Sequence, residues 1–269
     1  MNIHSNKDIR KTTKRMVFMI VVISKKNILF VALLLLFSIT VFSIGFAVDY
    51  AKPVTGTSDQ APVGNETVKT VVLDAGHGGE DPGAVSNYSG ISEKDVNLKI
   101  VMQLKSILEK DNYKVILTRD SDQLVYSENA KTILQKRKED LTRRKQIMDE
   151  SGADIVVSVH LNKFAQTKYH GAQAFFPPNS PDSETLAKEL QNSIRLNVDN
   201  ANDRVALIKK DQIMILKNLK TTTALVECGF LSNSDEEKRL STEEYQNKLA
   251  SAIKGGIDNF FKAKNKQSE

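Results

Sequence analysis

Apolar positions recur along this chain in two rhythms that alternate. Lys69–Asp74 and Asp154–His160 are short β-branched runs, and Ile155-Val156-Val157-Ser158-Val159 is too apolar for an exposed edge. Tyr113–Arg119, Ala172–Phe176, Ile213–Leu216 and Thr223–Glu227 read as further strands. Between them the period changes. Val96, Ile100, Val101, Leu104, Ile107 and Leu108 predict a helix over Glu93–Lys110 with one buried face. Ser92 and Asp95 propose its N-terminal capping box. A highly charged helix is expected from about Lys131 to Glu150, with Leu134, Leu141 and Met148 as its inner stripe. Another is expected from Ser183 to about Val198 on Leu186, Leu190 and Ile194. Ser234 and Ser241 each open an S-x-x-E capping box, and the last helix is expected to end near Phe261.

Strands alternating with helices predict one α/β domain of three layers, a mainly parallel twisted sheet of about six strands flanked by helices. In such sheets functional groups gather where strands end. His77, His160 and Glu227 each fall at such an end.

Before this domain the pattern is different. Ile28 to Val48 is an uncharged run of 21 residues, long enough to span a bilayer. Lys25 and Lys26 precede it, so the positive-inside rule keeps the basic N-terminus (1–27) in the cytoplasm and exports the remainder of the chain. Its length favours an uncleaved anchor, and Gly45-Phe46-Ala47 leaves a cleaved signal peptide open. The shorter apolar patch Met16 to Ile23 has no assigned role. Residues 49–67 carry Pro53, Gly56, Pro62 and Gly64 among polar residues and read as a flexible linker. The folded domain is expected over 68–263, with a polar tail at 264–269.

Charge follows this division. The chain of 269 residues has a net charge of +5, but 1–48 hold seven basic residues and one acid. Taking these from the totals of 38 and 33 leaves 31 basic and 32 acidic residues. The folded part is balanced, which gives no footprint for nucleic acid. Cys228 is the only cysteine, so no internal disulfide is possible.

The candidate chemistry begins at Asp74-Ala75-Gly76-His77-Gly78-Gly79, a strand that stops in a glycine turn carrying one histidine. It lacks the Lys-Ser/Thr ending of a phosphate loop. His77, Glu93 and His160 together form a donor set suited to catalytic zinc, because three protein ligands leave one position open for water. Glu93 would begin its helix, where the macrodipole favours a carboxylate. Asp74 could accept a hydrogen bond from a ligand imidazole or simply cap the turn. Singly, each has an ordinary reading: a satisfied histidine, or the first residue of a helix. Glu227 ends a buried strand, and two explanations stay open for it: a general base beside a metal-bound water, or a salt bridge with a Lys or Arg. Cys228 would point to the opposite sheet face, as a buried small residue. His170 reads as an exposed loop histidine, and His4 lies before the apolar run.

Four stretches then carry a resemblance: Val72-Leu73-Asp74-Ala75-Gly76-His77-Gly78-Gly79, Ser92-Glu93-Lys94-Asp95-Val96-Asn97-Leu98, Ser158-Val159-His160-Leu161-Asn162, and Ala224-Leu225-Val226-Glu227-Cys228-Gly229-Phe230-Leu231-Ser232-Asn233. In this order, over about 69–262, they resemble the zinc-dependent N-acetylmuramoyl-L-alanine amidases of the amidase-3 type. The resemblance implies hydrolysis of the amide between the lactyl group of N-acetylmuramic acid and L-alanine of the peptidoglycan stem peptide. It implies one zinc ion held by His77, Glu93 and His160, with Glu227 as the catalytic carboxylate. Asp74 and Asn162 are then candidates to orient the ligands from behind. The Leu161-Asn162 pair, the Arg-Lys-rich stretch Arg137–Lys145, the short domain and the single apolar segment resemble the germination-specific branch of spore-forming bacteria. That branch implies muramic-δ-lactam formation in the spore cortex, an extracytoplasmic location in the spore intermembrane space or cortex, and attachment through the N-terminal segment. Residues 122–150 look too short for the autoinhibitory helix of some division amidases, so regulation is expected from an accessory protein. The alternatives are a non-catalytic, membrane-tethered wall-binding protein and a zinc carboxypeptidase acting on the stem peptide.

Overall fold

The computed structural model of the chain describes residues 68–209, 216 and 219–268. The apolar run 28–48, the linker and all of the expected strand Ile213–Leu216 except Leu216 lie outside the described residues. Among the described residues no helix is long and apolar enough to cross a membrane.

Six strands form a single sheet: β1 (Thr70–Ala75), β2 (Lys114–Leu117), β3 (Ile155–Asn162), β4 (Gln173–Phe176), β5 (Leu207–Ile208) and β6 (Thr222–Phe230), in the order β2-β1-β3-β6-β4-β5. The sheet is parallel except where β4 runs antiparallel to β6. Among the described residues five helices accompany it: α1 (Glu93–Lys110), α2 (Ile133–Glu150), α3 (Pro181–Asn197), α4 (Ser234–Leu240) and α5 (Glu243–Ser268). β1, β3 and β6 are buried on both faces, which is why their sequences run apolar rather than alternating.

Side-chain parity sorts these strands into two cores. Val71, Leu73, Ile155, Val157, Val226 and Cys228 pack in the larger core, together with residues of α1, α3 and α5. Val72, Val156 and Leu225 face the smaller core with Met148 of α2. Ile100, Leu104 and Leu108 of α1 are fully buried, and each such burial stabilises by about 1.5–3 kcal/mol. The same parity puts Asp74, Ser158 and Glu227 on the α2 side, one register step from the smaller core.

Several local expectations are corrected. Leu134 is 75% exposed, so the inner stripe of α2 is Asp140, Arg144 and Met148, spaced by four, with Leu141 half-buried beside it. The Ser92 hydroxyl donates to the Asp95 carboxylate instead of accepting a backbone N–H, so no side-chain cap forms there. The complete capping box is Thr132 with Gln135, at the start of α2. Asn233 rather than Ser234 caps α4, accepting from Asp235 N and Glu236 N. At α5, Thr242 rather than Ser241 accepts, from Tyr245 N. Helix α5 continues past Phe261 to Ser268. The two-residue edge strand β5 has no period long enough to read from sequence.

Candidate metal centre

β1 ends at Ala75 and the chain turns through Gly76 to His77, whose φ of 64° is left-handed and uncommon for a residue with a side chain. Two buried arginines hold this turn by its carbonyls. Arg144 donates to Ala75 O (2.7 Å) and His77 O (2.8 Å), and Arg119 to Ala75 O (2.8 Å) and Gly76 O (3.1 Å). Arg144 itself is 1% exposed and lies between Asp74 Oδ1 (3.0 Å) and Asp140 Oδ2 (2.6 Å). The strained backbone at His77 is therefore held by charge-assisted hydrogen bonds from α2 and the loop after β2.

The turn aims His77 at Glu93, the first residue of α1. His77 Nε2 lies 3.3 Å and His160 Nδ1 3.0 Å from the same oxygen, Glu93 Oε1. His160 comes from the end of β3. There the ladder with β6 shifts register between His160 and Asn162, and the Leu161 N–H turns to donate to Glu93 Oε1 (3.0 Å). Ala84 N donates to Glu93 Oε2 (2.8 Å), which fixes the carboxylate plane. The two imidazoles meet edge to face, with ring centroids 5.1 Å apart. One ligand atom from each of His77, Glu93 and His160 lies within 4.8 Å of the others.

Burial alone would raise the Glu93 carboxyl, but the hydrogen bonds and charges of His160 and His77 hold it well below the usual carboxylate range. Burial works against the charged form of His77 too. Its partners Asp81 and Glu93 outweigh that and carry the imidazole up to about 9. In the metal-free protein these His77 pairings stabilise in full below about pH 6.5 and fade as pH rises through about 9. A metal ion arriving at pH 7.5 must therefore displace a proton. Calorimetric zinc binding should show an enthalpy that depends on the ionisation enthalpy of the buffer, with about one proton released. Buffer-independent enthalpies would contradict this protonation state.

The residues present fit a zinc ion. The donors are two nitrogens and an ionised carboxylate, and His160 Nε2 is buried without a hydrogen-bond partner among the described residues. Behind His77, Nδ1 lies 2.8 Å from Asp81 Oδ2, so a carboxylate fixes that ring's orientation. This corrects the place given to Asp74. Asp74 accepts from Thr118 Oγ1 (2.6 Å), Ser158 Oγ (2.6 Å) and Arg144, and makes no hydrogen bond to an imidazole among the described residues. Asn162 also plays no such part: its side-chain oxygen accepts from Lys163 N (2.9 Å). Asp81 had a usable signal in the Asp81-Pro82-Gly83 turn four residues past His77. Arg144 had one in its spacing with Asp140 and Met148.

Gly76 lies flat against the His160 ring. A Cβ there would fall 2.2 Å from His160 Cε1, so a side chain at position 76 must push the imidazole away. Gly76→Ala is expected to weaken zinc affinity about tenfold or more, measured by chelator competition. An unchanged affinity would show that the ring does not need this support.

Glu227 pairs in register with His160 across β3 and β6 and is 7% exposed. One oxygen lies 3.2 Å from Lys209 Nζ, and the other is buried without a partner among the described residues. The salt bridge therefore exists and leaves half of the carboxylate unspent. Glu227, Glu93, His77 and His160 line one cleft of about 420 Å³. His170 is exposed, and Cys228 is buried in the larger core with its thiol pushed far up by burial.

His77 and His160 from the strand side and Glu93 from the start of α1, with a further buried carboxylate beside them, form a donor set of the kind that metal-dependent hydrolases use. Residues 71–259 match the N-acetylmuramoyl-L-alanine amidase model of the amidase-3 type. The chain belongs to that family. It is 36% identical over 196 residues to the germination-specific N-acetylmuramoyl-L-alanine amidase of Bacillus subtilis (strain 168), covering 73% of this chain and 81% of that one. It is similar to the CwlD amidase from Clostridioides difficile, whose structure is solved in complex with the GerS lipoprotein. That match has a TM-score of 0.70 and 45% identity, over 72% of this chain and 99% of that one. An N-acetylmuramoyl-L-alanine amidase from Clostridium difficile 630 matches with a TM-score of 0.63 and 29% identity, over 73% of this chain and 98% of that one.

Proposed function

We propose that this chain is a zinc-dependent N-acetylmuramoyl-L-alanine amidase. It hydrolyses the amide between the lactyl group of N-acetylmuramic acid and L-alanine of the stem peptide. The observation that carries this reading is the convergence of His77, Glu93 and His160 beside a half-free buried carboxylate, Glu227, in one cleft of an amidase-3 domain. His77, Glu93 and His160 hold the zinc ion. When bound, zinc polarises the amide carbonyl and acidifies a water molecule. Glu227 accepts the proton of the attacking water on its free oxygen and returns it to the alanine nitrogen as the C–N bond breaks. Lys209 fixes the other oxygen, so the carboxylate keeps one orientation through both transfers. Asp81 holds the His77 ring, and Arg119 and Arg144 hold the backbone beneath it.

The similarity to a germination-specific amidase and to CwlD supports a role in spore cortex maturation, where stem-peptide removal precedes muramic-δ-lactam formation. In this reading the domain works outside the cytoplasm, tethered by the apolar run 28–48. The lipoprotein complex of the CwlD relative supports an accessory protein partner for this chain as well. The full chain, supplied with zinc and purified peptidoglycan, should release peptides with a free N-terminal alanine and leave the glycan strands intact. Mass spectrometry separates this from a carboxypeptidase, which keeps the lactyl amide. Absence of release, even with sporulation-cell extract added, would favour a wall-binding protein instead.

A further inference from the structure

Four carboxylates line the cleft, and three of them are already neutralised by the protein. Glu93 is held between the two histidines, Asp140 by Arg144, and Glu227 by Lys209. The fourth, Asp81, is bound to His77 through Oδ2. Two arginines also line the cleft. The fork of Arg144 is fully used, on Asp140, Asp74, Ala75 O and His77 O. Arg137 is different. Its Nε lies 3.0 Å from Asp81 Oδ2, an oxygen already shared with His77, and its two terminal nitrogens have no partner among the described residues. Its side chain is 45% exposed, so the guanidinium stands at the mouth of the cleft within reach of solvent.

We propose that Arg137 is a specificity-determining residue that binds a carboxylate of the stem peptide beyond the scissile amide, so that the enzyme prefers acidic peptide chains. The inference rests on the amidase reading and adds to it the charge of the preferred substrate. A planar fork with both terminal nitrogens unpartnered among the described residues matches a carboxylate, and a lysine would present only a point charge. The location fits as well. Through Asp81 and His77, Arg137 is two contacts from the candidate metal centre, close enough to hold the peptide on the leaving-group side while the lactyl carbonyl is attacked.

The test compares two synthetic muramoyl peptides, one with its peptide carboxylates free and one with all of them amidated, on the full chain with zinc. The wild type should show about tenfold higher kcat/KM for the acid form, carried by KM. In Arg137→Gln the preference should vanish, and Arg137→Lys should keep part of it, with zinc content unchanged in both variants. Equal turnover of the two peptides by the wild type would overturn the proposal, as would a preference that survives in Arg137→Gln. Loss of zinc together with equal loss on both substrates in Arg137→Gln would also overturn it, since Arg137 would then be a clamp on Asp81. If the wild type cleaves neither peptide, even with sporulation-cell extract added, the amidase reading falls, and calorimetric titration of the same peptides decides this point separately. Tighter binding of the acid form by wild type than by Arg137→Gln supports the assignment, and equal binding refutes it.

Discussion

Glu227→Gln is expected to lower peptide release by about 10²–10⁴-fold, the contribution typical of a positioned general acid–base, while zinc content stays that of the wild type. The side chains are isosteric. The amide oxygen can still accept from Lys209, so the salt-bridge partner keeps a contact and the strand stays packed. What disappears is the ability of the free oxygen to take and return a proton. Metal content should not change, because the three candidate ligands converge without Glu227. Turnover within about tenfold of wild type would leave Glu227 as no more than the partner of Lys209, which is the ordinary reading of a carboxylate at a buried strand end.

Arg144→Leu should be the most damaging single change to stability, at about 3–5 kcal/mol, the usual cost of removing one member of a buried ion pair. That is a large part of the about 5–15 kcal/mol that holds a domain folded. The substitution leaves Asp74, fully buried, without its cation, and removes the Arg144 donors from the carbonyls of His77 and Ala75, of which Ala75 O keeps Arg119. In the wild type, burial pushes the Asp74 carboxyl up, and Arg144 together with its hydroxyl donors more than reverses this. The folded-state value is depressed, so the stabilisation is present above about pH 4 and lost as pH falls further. Without Arg144 the desolvation of the Asp74 carboxylate is less fully offset, so the deficit should shrink as the solution is acidified and Asp74 is protonated. Urea midpoints of both proteins between pH 4 and 7 would show the gap closing at low pH. A loss below about 1 kcal/mol, constant over that range, would mean that the Asp74–Arg144 pair does not hold the turn.

The site residues were legible because each stands where a local pattern changes. His77 follows a β-branched run into glycines, Glu93 opens an amphipathic helix, and His160 and Glu227 end the apolar runs of two strands, although the ladder itself continues to Asn162 in β3 and to Phe230 in β6. Local pattern suffices for that. The contacts that the supports make were not legible, because they join distant parts of the chain. Arg144 reaches Asp74 across 70 residues, and Arg119 reaches Ala75 across 44. On α2 the apolar period misled. Leu134 continues a leucine stripe in sequence yet lies exposed, while an aspartate and an arginine turn inward because a buried carboxylate on β1 needs a cation. Asp74 lies nearer to His77 in sequence than Asp81 does, so local pattern points to Asp74 as the partner of the ring. The left-handed turn at His77 instead brings the ring back over the loop that carries Asp81. Cap positions moved by one residue wherever two neighbouring polar side chains compete for the same backbone donors.

Cys228 stands next to Glu227 on the opposite face of β6, fully buried and with a thiol that burial and nearby carboxylates keep protonated. As the only thiol in the chain, it is silent towards disulfide reagents for as long as the central strand stays in place. Its labelling rate under native conditions therefore counts the openings of β6, the strand that positions Glu227, the proposed general base. The domain carries its own clock for the event that would unmake its active site, and a bound metal ion or an accessory partner that tightens the site should slow that clock without touching the thiol.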